Sequence, residues 1–421
     1  MDEVLWNAAL NFEAARLLGR AIRVRTALIE RFPETSLAKR AIYLVGANYH
    51  ALAFYERAAE YYETFAKKYP GEDEGSCDAD DKKNGTCAIA HEALKNAVFF
   101  RIGLGQDDKA IDDANMFQRN YGPNASRKDR RVRDAAQVMF SLGQIHENKK
   151  DWSSVVEHYR SWLRRYAQTA DPHQIIQAYV FVGNAYRNAR DTVKAEASYR
   201  SAIKAWDKGG QRKISRLTEA SDDEKARYMM MAKDAVSEAK FYAAEGLFRV
   251  FSRIKFPEYQ GGRRLEEVNR WAQRDFKKWL EKKREAMVDA EKAYNEIAGL
   301  EVPRWQIAAA SRVGEMYASF IDAFREAPVP KEIENDDELY GVYVDALEAQ
   351  ATSFEKPAVE KFEFCIITAT KVRWFNEFSK TCESELNRLN PREYPLASEL
   401  RGGVDFAYNS VSVPDPVVLS K

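Results

Sequence analysis

The feature that most constrains this chain is an internal repeat in the sizes of its apolar residues. The clearest unit is KRAIYLVGANYHALAFYERAAEYYETFAKKYP, residues 39–70. Val45, Gly46 and Tyr49 stand in its first half, Ala58, Tyr62 and Phe65 in its second, and Pro70 ends it. Apolar residues at three- and four-residue intervals predict two amphipathic helices. Small residues let paired helices approach closely, and large ones fill the holes that this leaves. The same frame lies over Val182, Gly183, Tyr186, Ala195, Tyr199 and Ala202, and over Leu142, Gly143, His146, Val155, Tyr159 and Trp162. A looser copy holds Ala97, Val98, Ala110, Ala114 and Phe117, and the first holds Ala8, Ala9, Phe12, Ala21, Leu28 and Pro33. About five such units fill most of residues 2–206. A unit that cannot bury its own apolar face must stack on its neighbours, so a stacked all-α array is expected.

This small–large order resembles the tetratricopeptide repeat, whose period is about 34 residues. The resemblance implies an all-α tetratricopeptide solenoid, an α-superhelix, over 1–206. The run ERFPETSLAKRAIYLVGANYHALAFYERAAEYYETFAKKYPGE also resembles the envelope tetratricopeptide proteins of Gram-negative bacteria. Those include the outer-membrane assembly lipoprotein and the Tol–Pal coordinator. The shared phrase is aromatic-Pro, small polar residues, an Ala-rich helix and a second helix closing on Tyr-Pro. It implies a periplasmic role in protein–protein interaction.

The second half is less regular. Residues 207–262 read as a connector and a helix: Gly209, Gly210 and a charged run mark a mobile boundary, and helical text follows around Met229–Phe251. Residues 263–403 read as an irregular, tetratricopeptide-like helical region. A long amphipathic helix is predicted over Arg263–Ile297, with Leu265, Val268, Ala272, Phe276, Trp279 and Leu280 on one side. Ala310, Val313, Gly314 and Tyr317 repeat the small–large order, and the run EKPAVEKFEFCIITATKV onward gives one more helical pair ending at Tyr394-Pro395. With W-x-IAAA-x-R-x-G-x-MY and APVP, this half resembles the C-terminal region of large envelope tetratricopeptide proteins of myxobacteria and their relatives. That likeness implies envelope location and scaffolding, with gliding motility or surface assembly as its setting. Residues 404–421 read as an extended tail.

Lys+Arg and Asp+Glu are equal at 65 each, which argues against a groove for nucleic acid. No apolar run approaches the roughly 18 residues a membrane span needs, so the chain is peripheral to a membrane at most. Its first residues carry acids where a signal peptide needs bases, so it reads as cytoplasmic or as the mature segment of a longer precursor. The four cysteines bear on that choice. Cys77 and Cys87 bracket a polar loop in an insertion at 71–87, and Cys365 and Cys382 are equidistant from a turn at Lys371–Asn376. Both pairs fit disulfides, which persist in oxidising compartments such as the periplasm or cell envelope. Reduced thiols would instead fit a cytoplasmic adaptor.

Motifs of catalysis are missing: there is no P-loop, G-x-S-x-G, H-E-x-x-H or C-x-x-C. His146 sits at an inward repeat position and reads as a packed core residue; it can approach His158, but no third ligand is evident. Asp78, Asp80 and Asn84 before Gly85 form a weak calcium-like set that lacks the distal bidentate Glu, so the loop reads as a solvated acidic segment. The basic run at 127–134 reads as a solvated helix start. Neither a cofactor nor a metal is expected. The chain reads as a non-catalytic scaffold, with an enzyme pocket in the C-terminal half as the alternative. By analogy with the repeat, its concave groove carries Tyr43, Ala47, His50, Lys95, Phe99, Phe140, Gln144, Asn184 and Arg187 on the first helices. A peptide or helix from another envelope protein is the expected partner.

Overall fold

The computed structural model describes residues 1–84, 86–122, 130–218, 220–259 and 264–396. The tail expected at 404–421 lies outside them. The described residues form an all-α fold with no strand, built from helices packed in pairs as in a tetratricopeptide solenoid. The chain divides into two compact units, one ending at Ala239 and the other beginning at Lys240.

In the N-terminal unit the pairs are α1 (Asp2–Ala14) with α2 (Leu18–Arg31) and α3 (Ser36–Ala51) with α4 (Tyr55–Lys68). After the short α5 (Ala79–Asn84) come α6 (Ala90–Gly103) with α7 (Asp107–Tyr121). The next pair has a first helix in two pieces, α8 (Arg130–Ser141) and α9 (Gly143–Asn148), before α10 (Trp152–Tyr166). The last is α11 (Pro172–Asn188) with α12 (Thr192–Asp207).

The turns fix the register. Inside each pair one residue is left-handed: Arg16 (φ 58°), Ala53 (60°), Gly105 (69°), Lys150 (55°) and Arg190 (62°). Each lies seven residues beyond a small-position residue: Ala9, Gly46, Val98, Gly143 or Gly183. Only one of the five is glycine, and an L-residue costs roughly 1–2 kcal/mol there. Repeated backbone bonds hold the turn. Ala53 N–H donates to His50 O (2.9 Å) and Phe54 N–H to Tyr49 O (2.9 Å); Arg190 and Asp191 repeat this with Arg187 O (3.0 Å) and Tyr186 O (2.9 Å).

Sixteen residues beyond the small position stands the large one. A Cβ added at Gly46 would lie 2.8 Å from Tyr62 Cδ1, and one at Gly183 would lie 2.5 Å from Tyr199 Cε1; at Gly143 it would meet the ring of Tyr159. These tyrosines are fully buried, and each stabilises its pair by about 1.5–3 kcal/mol through burial alone. In the α6/α7 pair the sizes are exchanged, with Val98 facing Ala114, both fully buried.

The connector after residue 206 is packed. Gly209 (φ 91°) opens α13 (Gly210–Ser215), whose Ile214 has no exposed surface. Next comes α14 (Asp222–Ser252), the helix within which the two units divide.

The C-terminal unit holds α15 (Leu265–Trp271), a π-turn at Ala272–Phe276, α16 (Lys277–Ala298), α17 (Pro303–Arg325), α18 (Lys331–Glu334), α19 (Asp337–Val372) and α20 (Glu377–Leu389). The helix predicted over Arg263–Ile297 is therefore broken in register by a π-turn. Its core joins α16, α17, α19 and α20 through Trp279, Tyr294, Phe320, Phe324, Phe354, Phe362 and Leu386. Gly314 of α17 lies against Phe362 of α19, so the small–large couple recurs here. The start of α19 falls well before Pro357, near which the sequence places the start of the last pair. An Asp336 N-cap, accepting from Leu339 N–H (3.1 Å), and acids in the first turn begin the helix there. Past α20, Tyr394 folds back: its hydroxyl donates to Glu363 Oε1 (2.7 Å), and its carbonyl accepts from Asn387 Nδ2 (2.9 Å).

Candidate functional site

The first helices of the N-terminal unit carry all nine predicted groove residues, and the structure sorts them into three groups. Tyr43, Lys95, Phe140 and Asn184 are committed to packing or bonds inside the unit. Tyr43 rests against Tyr62 (5.5 Å between ring centres) and Phe65 (5.4 Å), and burial followed by the charge of Glu92 pushes its hydroxyl up to about 12. Phe140 packs on Tyr159 (5.2 Å), Trp162 (5.0 Å) and Phe181 (5.9 Å). Asn184 accepts from the Tyr199 hydroxyl (2.7 Å) and donates to Glu238 Oε1 (2.9 Å). Lys95 Nζ donates to Asp134 Oδ1 (2.9 Å), whose other oxygen stands 3.2 Å from His91 Nδ1. Ala47 and Phe99 are half-buried, and His50, Gln144 and Arg187 are exposed.

Around His50 the structure assembles what the sequence did not announce. His50 packs on Phe100 of the next pair (4.7 Å) and on Tyr55 (6.1 Å), which itself touches Phe100 (5.1 Å). Phe54, 60% exposed, packs on Tyr49 (6.4 Å), and Leu52 and Leu104 are exposed in the turns of the same two pairs. The turn geometry explains this patch: the left-handed Ala53 throws Leu52, Phe54 and Tyr55 out beyond the helix ends. Clustered exposed apolar side chains, aromatics above all, are the surface that partner proteins cover. An aromatic placed by a turn, as Phe54 is, carries no helix-period signal, so periodicity alone passes over it.

One large position is polar, also unannounced, and a second buried polar residue stands beside another. Arg25 stands where three of the other pairs have tyrosine and is fully buried. It donates to both oxygens of Glu13 (2.8 and 2.6 Å) and to Asn48 Oδ1 (2.6 Å). Beside the exchanged couple, buried Asp113 faces Glu63, which accepts from Arg101 Nε (2.6 Å). Burial, then the neighbouring Glu63 carboxylate, pushes Asp113 up to about 7.

The Cys77–Cys87 bridge is present, with Cα atoms 5.5 Å apart. The acidic loop it closes is not simply solvated. Asp81 is buried and ion-paired with Arg40, Thr86 accepts from the same guanidinium (3.2 Å), and Lys39 pairs with Glu72 (2.7 Å). Asp78 Oδ1 accepts from Asp81 N–H (2.7 Å), a local cap. The side chains of Asp80 and Asn84, and all of Gly85, lie outside the described residues. The second bridge, Cys365–Cys382, joins α19 to α20 with Cα atoms 6.5 Å apart.

His146 and His158 do approach, at 5.6 Å between ring centres, beside a cavity of about 310 Å³. His158 Nε2 is engaged by Met139 O (2.9 Å), and burial holds its pKa down at about 4, so the ring is neutral. Among the described residues no three His, Cys, Asp or Glu side chains gather as metal ligands, and no helix is long and apolar enough to cross a membrane.

No family model matches the chain, and no curated protein matches it. Solved structures similar to it include MamA, at 15% identity and a TM-score of 0.34 over 52% of this chain and 97% of MamA. Another is BtubC from P. vanneervenii, at 18% identity and a TM-score of 0.32 over 52% and 82%. A TPR repeats protein from Bacteroides fragilis aligns at 11% identity and a TM-score of 0.31 over 71% and 98%.

Proposed function

We propose that this chain is a non-catalytic protein–protein interaction scaffold of a bacterial cell-envelope complex, taking a partner's peptide or helix on the first helices of its N-terminal unit. The observation that carries the reading is the exposed patch of His50, Phe54 and Tyr55, packed on the half-buried Phe100 and next to the half-buried Ala47 and Phe99. A preformed array can bind at little cost in ordering its own backbone, and such a patch supplies rigid aromatic anchors. Two disulfides support an oxidising compartment, for which the periplasm is the bacterial case. Within the envelope, outer-membrane or surface assembly and gliding motility are the settings favoured by the resemblances in the sequence. Binding peptides selected from a display library on the purified protein test the site. Their affinity should fall at least tenfold on Phe54→Ser with Tyr55→Ser, and again on alanine at Tyr43, Gln144 and Arg187. Equal affinity for both variants would move the site elsewhere. Alkylation of the native protein followed by mass spectrometry tests the compartment, since four reactive thiols would contradict it.

A further inference from the structure

The C-terminal unit contains an open cleft of about 1210 Å³ between the segment at 254–259 and the α15–π-turn–α16 stretch. Its aromatic lining is Tyr259, which stands edge-on to Trp271 (5.6 Å), and Trp279, behind which Phe256 packs (4.9 Å) with Phe276 (5.8 Å). Both Trp271 and Trp279 line the cleft, both are more than nine-tenths buried, and neither buried indole N–H has an acceptor among the described residues. A buried donor without a partner costs about 1–3 kcal/mol and is rarely left so.

Charge is segregated around these donors. Arg253, Lys255, Arg270, Arg274, Lys278 and Lys282 line the cleft against Glu258, Glu267 and Asp275, although the whole chain is neutral. Arg274 is forked onto Asp275 (2.9 and 3.1 Å). Arg253, Lys255, Arg270 and Lys282 are exposed and have no ion-pair partner among the described residues. The π-turn adds a residue to the helix between Trp271 and Trp279, and such turns favour functional positions.

We propose that this cleft binds an acidic segment of a partner protein, its carboxylates meeting the unpaired cations. The cleft exceeds the roughly 300–1,000 Å³ of small-molecule pockets, and its cations are spread along it, which suits several spaced anions and not one. The interspersed Glu258, Glu267 and Asp275 would repel an unbroken phosphate chain but fit between the acids of a peptide. This site extends the scaffold reading to the second unit and is tested apart from the aromatic patch of the first.

The test uses the full chain and a fluorescein-labelled peptide of alternating Glu and Phe, with a Lys–Phe peptide as control. The Glu peptide should bind, weaken steeply with salt, and quench tryptophan fluorescence, while the Lys peptide should not bind. Arg253→Glu with Lys282→Glu, both at exposed positions, should cost at least tenfold in affinity. Phe54→Ser with Tyr55→Ser should leave this binding unchanged, so loss there alone bears on the first site. Equal binding to the charge-reversed variant would overturn the proposal, as would complete displacement by millimolar inorganic phosphate or by vesicles of anionic lipid.

Discussion

The two units build the same contact in different topologies. In the N-terminal unit, glycine meets tyrosine sixteen residues further on, at Gly46–Tyr62, Gly143–Tyr159 and Gly183–Tyr199, and a left-handed turn residue between them sets the distance. In the C-terminal unit, Gly314 meets Phe362 only after α18 and the larger part of α19 have intervened. Left-handed Glu301 (φ 59°) and Arg373 (φ 55°) do occur there, but between α16 and α17 and between α19 and α20. Size matching therefore holds helices together whatever the intervening chain length, whereas the turn is what makes a repeat periodic. Loop-closure cost grows only slowly with length, so the longer route is tolerated.

The sharpest way to break that comparison is to exchange the sizes. Native Val98–Ala114 already shows the reversed couple. Tyr62→Ala alone should cost about 3–5 kcal/mol, and Gly46→Val alone about 1–3 kcal/mol. The double variant should lose at least about 1 kcal/mol less than the sum of the singles. The same cycle at Gly314→Val and Phe362→Ala should show the same sign. Urea unfolding measures both, and additivity in one unit would mean that its couple is mere proximity.

The disulfides divide the units in the opposite way. Cys365 and Cys382 have no exposed surface and belong to the aromatic core of their unit, whereas Cys77 and Cys87 are half-buried in an insertion. Replacing both core cysteines by alanine should destabilise by about 2–4 kcal/mol, from lost cross-linking with a cavity term added. A thermal melt unchanged from wild type would show that α17 alone holds α19 and α20 together.

These contrasts explain what could be read in advance. Glycine and tyrosine leave a size signature at fixed spacing, so the repeats and the all-α class were legible. Cys365 and Cys382, equidistant from a turn, were legible for the same geometric reason, and Cys77 and Cys87 because they bracket one short polar loop. Arg25 and Asp113 were not, because Arg25 can be buried only with Glu13 and Asn48 opposite, and Asp113 beside Glu63 only by holding its proton, both facts of three dimensions. Arg40–Asp81 joins a helix to an insertion whose acids look like solvent-facing text. The start of α19 was hidden by Pro357, since one proline forfeits one backbone bond, which a long packed helix can absorb. The face of the first helices was legible, but which of its side chains pack inside the unit, and that Phe54 and Tyr55 stand exposed near His50, depended on the turn.

Asp113 offers a smaller effect with a definite sign. Its folded pKa of about 7 lies above the ordinary value of 3.8, so the folded state holds the proton more tightly than the unfolded state. Its contribution to stability is therefore fully present below pH ~4 and is lost as pH rises through 7. Asp113→Asn keeps a donor toward Glu63 and removes the titration. At pH ~8 it should be more stable than wild type by about 1–2 kcal/mol, and near pH 4 the gain should vanish. A gain that is the same at both pH values would exclude ionisation as its cause. The C-terminal unit should not contribute to this difference, which makes the experiment a probe of the first unit alone.

The smallest global effect is expected at the insertion. Closing a loop of about ten residues removes on the order of 2–3 kcal/mol of freedom from the unfolded chain, but little of that reaches the repeat core. Other links tie the insertion down: Arg40 to Asp81 and Thr86, Lys39 to Glu72, and the Ala90 N–H to Glu72 O (2.9 Å). Cys77→Ser with Cys87→Ser should therefore keep its helical circular dichroism, with the cooperative melt shifted by less than about 1 kcal/mol. Limited proteolysis should become faster between Asp78 and Asn84, where chain previously spanned by the bridge gains freedom. Adding Arg40→Ala should accelerate cleavage further, because Asp81 would then be buried without its cation. If the cysteine double variant instead lost helicity throughout, the insertion would be part of the repeat core, and its bridge would belong with Cys365–Cys382 and not in contrast to it.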